Sequence, residues 1–273
     1  MSDHVDQLDS QFQQAKLGTV FWLCLALIGI AAVPVWLALS GIRVIDEPSH
    51  IPTVNDIQQL AMALETFKAK YGIYPPSRIL LSNDGKQIDR ESLAYLLAIW
   101  PRLNWSAEID WSGGVKGFKS AKLEGDQCLV YFLNGPRGDG FSINPPNPTA
   151  PGGPRVGPFF EFDENRLIQR VKGNPFSSFQ DGYRKNVYAY FCTVRTKNNY
   201  RADCPSLKVA PYFKKGSMPV KYYYPSSFQI ISAGKDGIFG PGGAWAPESA
   251  AKDVGPNGLD DLCNFHGEFL GRK

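Results

Sequence analysis

The chain has 273 residues, with 29 Lys and Arg against 26 Asp and Glu and a formal net charge of +3. Hydrophobic residues at 43 % and charged residues at 20 % are ordinary for a folded chain and exclude disorder. So small a charge bias, with no basic stripe, argues against nucleic acid as a partner. The only histidines, His4, His50 and His266, are too few for a His-rich zinc site. The 27 glycines and 21 prolines suit a loop-rich fold with short strands.

Residues 1–17 are polar and read as a short cytoplasmic tail. Residues 19–42, TVFWLCLALIGIAAVPVWLALSGI, carry no charge and are long enough to cross a bilayer, for which roughly 20 residues suffice. A transmembrane helix is therefore expected over 18–42. Pro34 would kink it, and Trp22 and Trp36 lie toward its two ends, where interfacial aromatics are favoured. Lys16 precedes the run and Arg43 follows it, so flanking charge does not set its orientation. Residues 43–53 read as a linker with two prolines, and 54–273 as an extracytoplasmic domain.

Cys24 lies within the apolar run; Cys128, Cys192, Cys204 and Cys263 lie beyond it. Four cysteines in the large part suit two disulfides in an oxidising compartment. All pairings stay open, and reduced, buried thiols in a cytoplasmic domain are the alternative. There is no C-x-x-C, which argues against a cysteine metal site.

Thr53 is a plausible helix N-cap. After it Ile57, Leu60, Ala61, Leu64, Phe67 and Tyr71 recur at spacings of three and four, one apolar stripe on a helix that Gly72 ends and Pro75–Pro76 cannot continue. Glu65 and Lys68 fall on the opposite, solvated face. A second helix is expected from an Asp89 cap through Leu93, Leu96, Leu97 and Trp100 to a stop at Pro101. QCLVYFL (127–133), with Asn134-Gly135-Pro136 as its turn, reads as a strand, as do PFFEF (158–162), NVYAYFCTV (186–194), VKYYYP (220–225) and FQIISA (228–233). The long Gly/Pro segments 144–158 and 237–258 read as functional loops. The expected class is α+β: an N-terminal transmembrane helix, then an amphipathic helix packed on an antiparallel sheet, with long loops.

Three stretches resemble type IV pilins and type II secretion pseudopilins. They are DIQQLAMALETFKAKYGIYPPS (56–77), FQIISAGKDGIFGPGG (228–243) and NGLDDLCNF (257–265). The first is similar to the end of the long N-terminal helix of the major pseudopilin. The other two are similar to its C-terminal stretch, where a Gly-rich Asp-Gly loop precedes an aspartate cluster. The intervening chain is much longer, which implies a large insertion. The run after Gly18 has Leu23 where the family carries Glu, and Pro48 and Pro52 interrupt what is normally one continuous helix.

The resemblance implies an anchored, non-enzymatic subunit of a type II secretion or pilus-like system, whose partners are the membrane, other pilin-like subunits and apparatus proteins. The alternative is a stand-alone anchored binding module for glycan or protein. The resemblance also implies one structural calcium ion. Asp236 and one or both of Asp260 and Asp261 would be side-chain ligands, helped by backbone oxygens near Ser232 or Ile238, with Asp253 a weaker candidate. Calcium takes six to eight oxygens, and Gly-rich turns let carbonyls point inward. The competing reading is turn chemistry: Asp236-Gly237 as a hairpin turn and Asp260-Asp261 as a cap.

Other chemistry is weaker. Ser226, Ser227 or Ser232 with His266 and Asp261 could form a hydrolase triad, but no G-x-S-x-G elbow exists. Glu161 and Asp163 flank Phe162 as a carboxylate pair and read as a solvated face. The Tyr222-Tyr223-Tyr224 run could bind a sugar or a protein, although alternate positions in a sheet belong to the core.

Overall fold

The computed structural model describes residues 50–272 except residue 195. The tail, Gly18, the 19–42 run with Cys24, and most of the linker lie outside the described residues. Among the described residues no helix is long and apolar enough to cross a membrane.

Helix α1 (Ile51–Tyr71) carries the predicted stripe inward: Ile57, Leu60, Leu64 and Phe67 are buried. It begins earlier than expected, with Pro52 in its first turn, where proline's missing N–H costs nothing. Thr53, expected as the cap, is therefore inside the helix and buried. Gly72 ends α1 at φ 81°, its N–H donating to the Lys68 carbonyl at 2.7 Å. Strand β1 (Ile79–Ser82) leads to α2 (Arg90–Ile99), which the Asp89 carboxylate caps by accepting from the Ser92 N–H at 2.8 Å. Strand β2 (Ser120–Leu123) returns antiparallel to β1.

The segment expected as a strand over 127–133 is a helix, α3 (Gly125–Asn134), and all but its last residue are buried. A continuous apolar run does not distinguish a core strand from a core helix. The local decision is made by a reciprocal cap in which Glu124 and Gln127 each bond the other's backbone. Next come the pairs β3 (Phe141–Ser142) with β4 (Arg155–Val156) and β5 (Leu167–Ile168) with β6 (Ser178–Phe179), both antiparallel. PFFEF (158–162) forms no strand: the Phe159 N–H caps the end of α3 through the Leu133 carbonyl at 2.7 Å.

The last third holds β7 (Ala189–Cys192), β8 (Tyr212–Lys214), β9 (Phe228–Ser232), β10 (Gly243–Trp245), α4 (Ala250–Val254) and β11 (Leu262–Cys263). Strands β11, β9 and β7 form an antiparallel sheet with β9 central. NVYAYFCTV and FQIISA thus supply strands where expected. VKYYYP supplies only a bridge at Tyr222, because Tyr224 takes a left-handed φ of 50° that ends extension. Strands β8 and β10 pair in parallel, the exception to the antiparallel expectation.

Both faces of the central sheet are buried, following the two-residue period of a strand. Tyr190, Cys192, Phe228, Ile230 and Leu262 face the core that holds the inner faces of α1, α2 and α3. Ala189, Phe191, Ile231 and Cys263 face a second core with Tyr212, Trp245 and Val254. The described architecture is thus α+β.

Candidate functional site

Four aspartates from three loops meet near the Ser232 end of the central sheet. Asp236 follows β9, Asp260 and Asp261 precede β11, and Asp181 lies between β6 and β7. Asp236 is exposed, Asp260 half-buried, and Asp181 and Asp261 fully buried. Backbone and hydroxyl donors hold them. The Asp236 N–H donates to Asp260 at 2.9 Å, the Ile238 N–H to Asp236 at 2.7 Å, and the Gly240 N–H to Asp261 at 2.9 Å. The Ser232 hydroxyl donates to Asp181 at 2.7 Å. Gly234 (φ 64°) allows this closeness, since a Cβ there would stand 2.1 Å from the Asp260 carbonyl oxygen.

Electrostatically the cluster is under-compensated. Burial, then the charges of Asp260, Asp236 and Asp181, push the Asp261 carboxyl up to about 8. Burial also raises Asp181, against the pull of Ser232 and Arg166, and burial and Asp260 raise Asp236, against Lys185. One oxygen each of Asp181 and Asp261 is buried with no hydrogen-bond partner.

The side-chain donors are all hard oxygens, the kind calcium takes, and two of them are orphaned. The turn hydrogen bonds expected from Asp-Gly chemistry are formed at the same time. Among the described residues, however, no three acidic, His or Cys side chains are grouped so that they could hold a metal ion.

Sequence reasoning brought Asp236, Asp260 and Asp261 forward and missed Asp181. Asp181-Gly182 repeats the dipeptide of Asp236-Gly237, but so do Asp84-Gly85 and Asp139-Gly140, so the pair does not single Asp181 out. Asp253 is engaged elsewhere: it pairs with Lys215 and accepts from the Ser249 hydroxyl and the Ala246 N–H.

The triad reading fails on contacts: Ser232 serves Asp181, Asp261 serves Gly240, and the His266 Nε2 is buried without a partner. Asp163 caps a short turn by accepting from the Asn165 N–H, while Glu161 stands exposed. Tyr223 is stacked on Phe265 at 4.7 Å as packing, and Tyr224 is the exposed member of the run.

Cys128, Cys192, Cys204 and Cys263 are all buried free thiols, in place of the two disulfides expected. Cys128 lies on α3, Cys192 on β7 and Cys263 on β11, while Cys204 precedes a short turn; Cys128 and Cys192 belong to the first core and Cys204 and Cys263 to the second. Burial raises all four thiols, Cys192 to about 12.

No family model, curated protein or solved structure matches the chain.

Proposed function

We propose that the chain is a non-enzymatic, membrane-anchored subunit of pseudopilin type in a type II secretion or pilus-like apparatus. Residues 18–42 lie in the cytoplasmic membrane and the α+β domain projects to the periplasmic side. The observation that carries this reading is the order of parts: an uncharged apolar run, a helix whose stripe packs on an antiparallel sheet, and a C-terminal aspartate loop against the end of that sheet. The free thiols lend no weight to an oxidising compartment, so the orientation rests on that order.

In this role lateral packing of apolar helices assembles subunits, and the domain contacts neighbours or cargo. Calcium, held by Asp181, Asp236, Asp260 and Asp261, is structural. It neutralises carboxylate repulsion and ties the C-terminal loop to the sheet. The test is crosslinking of the full chain in membranes, with the mature N-terminus read by mass spectrometry. Ladders of like subunits support the reading; a monomer at every crosslinker concentration overturns it in favour of a stand-alone anchored binding module. That second reading draws on the cleft described next.

A further inference from the structure

A cleft of about 590 Å³ opens on the side of the domain formed by the end of α3. This volume lies within the range of small-ligand sites, ~300–1,000 Å³. Its walls include Tyr131, Arg137, Glu161, Phe162, Glu164 and Phe176. The apolar part is aromatic and fixed. Phe176 packs edge-on against Tyr131 at 5.2 Å, and Phe162 against Phe179 at 4.9 Å. The Tyr131 hydroxyl is fully buried and has no hydrogen-bond partner, near enough to Asp110 and Arg137 to feel both charges.

The polar part has a definite sign. Arg137 is committed to Asp110 at 3.4 Å and to the Thr149 carbonyl at 2.7 Å. Three further arginines are committed too: Arg166 to Asp56, Arg170 to Asp126, and Arg184 to Asp163. Glu161 and Glu164 are exposed, and among the described residues neither carboxylate has a hydrogen-bond or ion-pair partner. Two exposed carboxylates without a partner among the described residues thus stand beside aromatic walls, an arrangement that favours a cation on an apolar stem.

We propose that this cleft binds an alkylammonium or guanidinium group, its head between Glu161 and Glu164 and its stem against Phe162 and Phe176, as a Lys or Arg side chain of a partner polypeptide presents it. The inference is independent of the pseudopilin reading.

The test uses the full chain in detergent and saturation-transfer NMR, with Nα-acetyl-lysine N-methylamide as probe. Side-chain methylene signals are expected, weakening with added salt. The Glu161→Gln/Glu164→Gln double variant, which alters only exposed groups and should keep its melting temperature, is expected to bind at least tenfold more weakly. Cadaverine separates the sources: weaker binding than the lysine amide supports a polypeptide partner, and tighter binding overturns that partner in favour of a free diamine. Equal binding of the uncharged norleucine analogue, preferential binding of cellobiose, or undiminished binding to the double variant overturns the cation site.

Discussion

The hydroxyl of Tyr188, the residue before β7, donates to Asp56 on α1 at 2.7 Å, across 132 residues of sequence. Arg166 holds the same carboxylate through two guanidinium nitrogens and lies over the Phe179 ring at 4.1 Å. This polar lock fixes the angle at which α1 meets the sheet, which the apolar stripe alone leaves loose. Asp56→Ala strands a largely buried guanidinium and a buried phenol together, so a loss of about 3 kcal/mol is expected. Tyr188→Phe removes one hydrogen bond and should cost about 1 kcal/mol. Urea unfolding of both variants checks the ordering, and equal losses would place the energy in the phenol and not in the ion pair.

Helices α1 and α2 were legible in the sequence because their signals are local: apolar spacing, an Asp89 cap and the stops at Gly72 and Pro101. Strands β7 and β9 were legible because β-branched and aromatic residues crowd them. Helix α3 was not, because an element buried on every side has no polar face to reveal its period, and only the Glu124–Gln127 cap distinguishes it. Asp236, Asp260 and Asp261 were legible through the resemblance. Asp181 was not, since its place depends on how the β6–β7 turn folds back onto β9. The cleft was invisible for the same reason: its walls come from segments joined only by packing.

Gly125 reverses the ordinary helix preference. Alanine normally gains ~1 kcal/mol over glycine inside a helix. A Cβ at Gly125 would stand 1.9 Å from the Tyr190 carbonyl oxygen and 2.8 Å from the Cys204 sulfur. Gly125→Ala must push α3 off β7, with an expected loss of about 2–3 kcal/mol. Gly267→Ala, where a Cβ meets nothing within 4 Å, serves as the control and should leave the melting temperature nearly unchanged.

The four thiols should be silent in the native protein. Each is buried and raised above its ordinary value, so little reactive thiolate forms near neutral pH. In a Cys24→Ser background, alkylation at pH 8 should leave the folded chain unlabelled at all four positions, and unfolding without reductant should expose four reactive thiols. Mass spectrometry after labelling counts them, and a pair that resists labelling when unfolded would identify a disulfide.

Asp261 makes stability depend on pH with a definite sign. Its carboxyl titrates near 8 in the folded state against an ordinary 3.8. Below both values the proton is bound in either state and nothing changes. Between them the folded chain holds a proton that the unfolded chain has released, so stability falls as pH rises, by at most ~1.4 kcal/mol per pH unit for one group. Asp181 and Asp236, raised by the same surroundings, act in the same direction. In chelator, the melting temperature should therefore drop from pH 5 to pH 8, and Asp261→Asn should flatten the drop and be the more stable protein at pH 8. Calcium inverts that ranking, because the ion requires the ionised carboxylate and at a hundred times its dissociation constant adds about 2.7 kcal/mol to the wild type. An asparagine at 261 forfeits this gain. Identical melting curves with calcium and with chelator would remove the ion from the loop while leaving the proton argument intact, whereas a wild-type curve flat from pH 5 to pH 8 in chelator would show that the aspartates are neutralised by the protein itself.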